Sequence, residues 1–207
     1  MDESPLLNVA DVVIGSYANG PGKRIVIWVQ GCTIRCNGCF NPTLQPHVAK
    51  ILVKPETFAA DIVKLSIDNE CEGVTLTGGE PFQQSQALGV FATLIKESKL
   101  SVVCFSGYSA SKLLNSTDLN VKTLLRNVDI LIAGPFQKDM NYPNRTWFDD
   151  PDKELVFLTD VYNKNDAFLN DNVEYIIKGE DVHFSGFIDE VDSKIKAVFQ
   201  NHDPLLF

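Results

Sequence analysis

Between residues 73 and 133 the chain repeats one pattern: a short apolar run, a polar stretch carrying glycine, then an amphipathic segment. Gly73 to Thr77 (GVTLT) reads as a buried strand, and Gln84 to Lys99 places Leu88, Phe91, Leu94 and Ile95 at helical spacing. Ser101 to Phe105 is the next strand, Ala110 to Arg126 is helical with a break near Asn115, and Asp129 to Ala133 (DILIA) is a further strand. The pattern begins earlier. Residues 24 to 30 (RIVIWVQ) form a β-branched and aromatic run after the turn Asn19-Gly20-Pro21-Gly22. Glu56 to Asp68 then carries Phe58, Ile62, Val63 and Leu65 on one helical face, with Pro55 at its entry. Strands alternating with helices in units of about 30 residues imply mostly parallel strands joined by right-handed crossovers, an α/β fold.

The flanks are less regular. Val9 to Tyr17 is expected as another strand, paired at the edge of the sheet. Residues 134 to 154 hold three prolines and five acidic residues and are expected as a long surface loop, a kind more often functional than idle. Beyond it come a strand at Leu155 to Thr159, a hairpin of Glu174 to Lys178 and Val182 to Phe187 around Gly179-Glu180, and a closing helix, Asp189 to Gln200. A length of 207 residues suits a single domain, or an incomplete member of a larger barrel family. The expected core spans about 8–160, with a C-terminal extension over about 161–207.

Composition excludes several roles. Eighteen basic against 27 acidic residues give a net charge of -9 with the basic residues scattered, which argues against nucleic-acid binding. No run approaches the ~18 apolar residues of a spanning helix, and the amino terminus is acidic, so no membrane association and a cytoplasmic location are expected. Five cysteines, three of them clustered, do not look like a disulfide framework.

The special sequences fall at four successive strand ends: "QGCTIRCNGC" after the first, "TGGEP" after the second, "SGYS" after the third and "AGPF" after the fourth. In parallel α/β architectures those carboxyl ends converge on the face that holds the site. Thiolates at Cys32, Cys36 and Cys39 are the usual ligands of iron–sulfur clusters and of zinc. A cluster takes four ligands, and Cys71 and Cys104 sit as small buried apolar residues would, so a cluster with one open iron is the economical reading. A zinc site, for which His47 is the one nearby histidine, and an unliganded thiol loop are the alternatives. Gly78-Gly79-Glu80-Pro81 is either a tight strand-to-helix turn or a place where bare backbone and a carboxylate meet a ligand. Ser106 is either a polar contact to a ligand or a turn hydroxyl. Tyr108, Asn141, Arg145 and Trp147 are candidates to meet a partner, set against ordinary loop packing.

Cys32-x3-Cys36-x2-Cys39 followed by Gly78-Gly79-Glu80 resembles the radical S-adenosylmethionine superfamily, over residues 21 to 136. Within it, "GPGKRIVIWVQGC", "CNGCFNP", "GGEPFQQ", "SGYS" and "VDILIAGPF" are most similar to the activating proteins of anaerobic ribonucleotide reductase and related glycyl-radical activases. The resemblance implies an open, incomplete TIM-like (β/α) barrel with a small C-terminal hairpin-helix extension. It implies a [4Fe-4S] cluster on the three cysteines, with the fourth iron chelated by the methionine amino and carboxylate groups of S-adenosyl-L-methionine. Gly78, Gly79 and Glu80 would line the methionine amino group, Gly38 would pass its backbone under the adenine, and Ser106 would contact the ribose or carboxylate.

The implied chemistry is reduction by a flavodoxin or ferredoxin, cleavage of the sulfonium to a 5′-deoxyadenosyl radical, and hydrogen abstraction from a glycine of a large partner enzyme. No catalytic residue beyond the cluster and cofactor is expected. Ala133 stands where such activases commonly carry an acidic residue, and "NRTWFDDPDKE" replaces their small-polar stretch. The alternatives are a radical enzyme acting on a peptide or small molecule, such as a peptide maturase or a 7-carboxy-7-deazaguanine synthase-like protein, and a noncatalytic metal-binding or electron-transfer domain.

Overall fold

The computed structural model describes residues 5–136, 153–164, 174–178 and 181–185. Its strands are β1 (Leu7–Ser16), β2 (Arg24–Val29), β3 (Ile51–Val53), β4 (Gly73–Gly78), β5 (Ser101–Ser106), β6 (Ile130–Ala133), β7 (Glu154–Phe157), β8 (Glu174–Lys178) and β9 (Asp181–Ser185). The helices are α1 (Pro55–Asp68), α2 (Ser85–Glu97), α3 (Ala110–Leu114) and α4 (Leu119–Arg126). Seven strands form one open sheet in the order β3-β1-β2-β4-β5-β6-β7, and β8 and β9 pair as a separate hairpin.

Parallel pairing holds at the centre only. β2, β4, β5 and β6 run parallel, each joined to the next through helical crossovers. β1 lies antiparallel to β2, β3 antiparallel to β1, and β7 antiparallel to β6. A link as short as 17–23 can return a strand only antiparallel, since a parallel neighbour needs a crossover of a dozen or more residues. β1 is also not the edge. Three residues of β3, which the alternating pattern did not announce, take that place.

The expected break in the third helical segment is present. α3 ends at Leu114, and α4 starts afresh behind Asp118, whose side chain accepts from the Asn120 N–H at 2.8 Å. The strand expected at 155–159 covers Glu154–Phe157, and the second hairpin strand, expected over 182–187, is described over Asp181–Ser185, residues 186 and 187 lying outside the described residues. The closing helix at 189–200, and Asn141, Arg145 and Trp147 with most of their loop, lie outside the described residues.

The period-2 alternation of the central strands sorts the sheet into two unlike faces. Ile25, Ile27, Val29, Val74, Leu76, Val102, Cys104 and Leu131 point to the side covered by α1, α2 and α4. There they meet Ile62, Leu88, Phe91, Ile95 and Leu124, all essentially without solvent exposure. Each such side chain is worth about 1.5–3 kcal/mol of burial. Cys71 and Cys104 belong to this core. Among the described residues the other face is free of helices. A smaller cluster of Val103, Ile130 and Ile132 with Phe105, Leu155, Phe157 and Tyr162 fills part of it, and the rest is the wall of a cavity. Among the described residues no helix is long and apolar enough to cross a membrane.

Candidate functional site

The cysteine loop leaves β2 through Gln30 and Gly31 and closes on its own far end. Gly31 N–H donates to Leu44 O at 2.8 Å, Cys32 N–H to Gln45 O at 2.9 Å, and the Gln30 amide to Pro46 O at 2.6 Å. Gly31, at φ +104°, lets the chain pass so close to His47 that a Cβ would stand 2.8 Å from the ring. Gly38, at φ +69°, makes the turn between Cys36 and Cys39, and Cys39 N–H donates to Cys36 O at 3.3 Å. The left-handed conformation there suits glycine and explains its place beside the third cysteine.

Cys32, Cys36 and Cys39 are half-buried and line one cavity of about 240 Å³ together with Gly78, Gly79, Glu80, Ser106 and Gly107. Neither Gly38 nor Tyr108 is among the lining residues. Trp28, Thr77 and Phe105, from the helix-free face of the strands, form the floor. His47 packs outside this group. Among the described residues no three Cys, His, Asp or Glu side chains gather as a single metal ion would require.

Gly78 and Gly79 are set by a close approach of two backbones. A Cβ on Gly78, itself at φ +109°, would meet Val29 N at 2.5 Å, and one on Gly79 would meet Gly31 O at 2.3 Å. The contact is stitched by Gly79 N–H to Val29 O at 2.7 Å and Glu80 N–H to Gly31 O at 2.9 Å. The end of β4 and the root of the cysteine loop are therefore one unit.

Glu80 is 1% exposed. Its Oε1 accepts from Phe82 N–H at 3.0 Å and from the Ser106 hydroxyl at 2.9 Å, and its Oε2 accepts from Gly107 N–H at 2.8 Å. The carboxylate thus bolts the β4 turn to the end of β5. Burial pushes its pKa up, against the pull of those three donors and of Lys153. Ser106, which lines the cavity, spends its proton on Glu80 and accepts from Tyr108 N–H at 3.1 Å, which leaves one lone pair of its hydroxyl over. Burial also raises the Cys32 thiol, while the Ile34 and Arg35 N–H groups favour its thiolate.

Several further residues have roles that only the fold assigns, although Phe40, Phe136 and Gln84 lie inside the motifs quoted above. Lys153 reaches the cavity from the far side of the sheet and donates to Gly134 O at 2.6 Å. Phe40 and Phe136, from the first and fourth strand ends, meet at a ring separation of 4.2 Å beside the thiols. Gln84, inside the quoted "GGEPFQQ", exchanges hydrogen bonds with the Asn8 backbone and donates to Gln30 O at 3.0 Å, which fastens the loop root from behind.

Three thiols on a loop after one parallel strand, faced by a Gly-Gly-Glu turn after the next, define an iron–sulfur α/β protein. Residues 18–154 match the family described as a 4Fe-4S single cluster domain. The chain is 31% identical over 136 residues to the anaerobic ribonucleoside-triphosphate reductase-activating protein of Pasteurella multocida (strain Pm70), covering 62% of this chain and 84% of that one. The protein of the same name from Enterobacteria phage T4 is 27% identical over 154 residues, 72% of this chain and 94% of that one. The pyruvate formate-lyase-activating enzyme of Listeria monocytogenes matches at 38% over 84 residues, 38% of this chain and 32% of that one. The chain belongs to the 4Fe-4S single cluster domain family, in its radical S-adenosylmethionine activase group.

Proposed function

We propose that this chain is an activase that installs a glycyl radical on a partner enzyme such as an anaerobic ribonucleotide reductase. The observation that carries this is the meeting of Cys32, Cys36 and Cys39 with the Gly78-Gly79-Glu80 turn around one cavity at the carboxyl ends of parallel strands. The donor set suits the expected group. Three soft thiols on a loop, with no fourth protein ligand among the described residues, match a cubane with one open iron, whereas structural zinc calls for four ligands gathered about one ion. Cys32, Cys36 and Cys39 would hold the [4Fe-4S] cluster. The backbone of Gly78 and Gly79 would face the methionine end of S-adenosylmethionine. When bound, the pair supplies reductive cleavage of the sulfonium to a hydrogen-abstracting 5′-deoxyadenosyl radical.

The protein's own part is orientation and exclusion of water. Glu80 holds the turn beneath the thiols rather than reaching out, because each of its oxygens already accepts from the fold. Ser106 retains one acceptor for a ligand donor, and Gly38 supplies backbone rather than a wall of the cavity. Trp28, Phe105, Phe40 and Phe136 give the cavity an apolar lining that keeps solvent from the radical. We read the open sheet as an incomplete barrel whose helix-free interior admits a loop of the partner. A flavodoxin or ferredoxin is the proposed electron donor.

The test is anaerobic. Reconstituted protein given dithionite and S-adenosylmethionine should form 5′-deoxyadenosine, and Cys36→Ala should abolish it. Undiminished product in that variant would refute the ligand assignment. Addition of a candidate reductase should then give a glycyl-radical doublet in electron paramagnetic resonance. Product without a doublet on any such partner would favour a peptide or small-molecule substrate instead.

A further inference from the structure

We infer that Gln83 is a positioning residue that sets the cysteine loop against the cavity through a single carboxamide; this deepens the cluster-binding reading above. Gln83 stands in the helical turn Pro81–Gln84 that follows Glu80. Its Oε1 accepts from Thr33 N–H at 3.1 Å, and its Nε2 donates to Thr33 Oγ1 at 2.7 Å and to the Tyr108 hydroxyl at 2.9 Å. Thr33 follows the first thiol directly. Tyr108 follows Gly107, the donor to Glu80 Oε2, and the Lys112 ammonium lies 3.8 Å from the centre of its ring.

One amide therefore joins three strand ends: the cysteine loop after β2, the turn after β4 and the segment after β5. The loop root is fixed elsewhere, by Gly31 and Gln84. Between Thr33 and Phe40 the backbone hydrogen bond is local, Cys39 N–H to Cys36 O, and Phe40 adds a ring contact with Phe136, so Gln83 supplies a polar tie from the thiol-bearing arm to the rest of the site. Ligands of a metal centre are held in orientation by such outer partners, whose loss typically costs about 10–100-fold in metal affinity or activity. The amide suits this task because it both accepts and donates. A carboxylate in its place keeps the acceptor for Thr33 N–H, and the two hydroxyls can turn to donate; a thioether of similar length does neither.

The experiment uses Gln83→Met, Gln83→Glu and the wild type, each as cluster-free and as reconstituted protein. In the cluster-free form, hydrogen exchange at the Thr33 amide should speed up roughly fivefold in Q83M, the loss of one net hydrogen bond, and stay near the wild-type rate in Q83E. Urea stability should fall in Q83M by no more than the same fivefold in the folding equilibrium constant and stay near wild type in Q83E, because the tie is one local, partly exposed bond. In the reconstituted form, Q83M should lose its cluster to a chelator about tenfold faster and Q83E should recover most of the lifetime. KM for S-adenosylmethionine should rise in Q83M more than kcat falls. Wild-type Thr33 exchange and wild-type cluster lifetime in Q83M would overturn the inference, as would a loss of urea stability well beyond fivefold, which would make both changes the result of global unfolding. A wild-type protein that takes up no cluster would overturn the functional reading instead, while the exchange result would still judge the tie.

Discussion

At the residue scale, Glu80 carries two opposed demands. Burial disfavours its charge and comes first, while three hydrogen-bond donors favour it, and the outcome is a pKa raised from the ordinary 4.5. An acid whose folded pKa is raised binds more protons when folded than when unfolded across that window. Its contribution to stability is thus full below the unfolded value and is lost as pH rises through the folded one. Glu80→Gln removes the titration and turns an N–H₂ toward the Gly107 N–H, which leaves a buried donor unpaired at about 1–3 kcal/mol. The stability advantage of wild type over E80Q should therefore widen as pH falls from 7 toward 4.5. Urea unfolding of the cluster-free proteins at several pH values checks this, and an advantage that narrows toward acid would show the three donors to dominate.

At the scale of elements, α4 tests whether the helical side of the sheet is separable from the site. Asp118 caps it through Asn120 N–H at 2.8 Å, and Leu124 and Leu125 bury its inner face on the side away from the cavity. Asp118→Ala should cost about 1 kcal/mol, seen as a lower urea midpoint, with 5′-deoxyadenosine formation per folded molecule unchanged. A parallel loss of that activity would tie the helix layer to the chemistry. The helix break near Asn115 was legible because Asn, Ser, Thr and Asp together favour turns over helix interior, whereas the cap at Asp118 emerged only with the fold. The central strands were legible for a similar reason, since a run such as DILIA is buried on both faces and carries its own signal. β3 was not. Its three residues are too short to show a period, Ile51 and Leu52 are about half exposed, and its register comes from pairing with Leu7, Asn8 and Val9, forty residues away in sequence. The same limit hid Lys153 and the work of Gln83. The cysteines and glycines announce themselves by type and spacing, whereas a lysine or glutamine acquires a role only when the fold brings a distant partner to it.

Across the whole molecule, four parallel strands place all their carboxyl ends at the cavity and leave their amino ends to be sealed by something else. Arg24 is that seal. It projects from the first residue of β2 on the helix-free face and has no solvent exposure. Its guanidinium donates to Pro21 O at 2.8 Å, Val74 O at 2.7 Å, Ser101 O at 3.1 Å, Ser101 Oγ at 3.1 Å and Thr75 Oγ1 at 2.9 Å. Gly20 and Gly73 make the room, since a Cβ on either would fall within 2.8 Å of its side chain. Among the described residues no carboxylate bonds it directly; Asp129 and Glu72 support the charge only at longer range. An uncompensated buried cation is costly, so the site holds together because nearly every donor has an oxygen. Arg24→Met keeps much of the bulk but strands several buried acceptors, each worth about 1–3 kcal/mol, and should lower stability by about 3 kcal/mol or more. The carboxyl ends do not share these bonds, so the fraction that remains folded should still take up a cluster with wild-type stoichiometry. Urea unfolding and iron and sulfide analysis on the same samples read the two ends of the sheet separately. A variant of full stability would show the guanidinium to be an expendable plug, and one that folds stably but fails to bind iron would show that the amino ends of the strands govern the geometry of the cavity opposite.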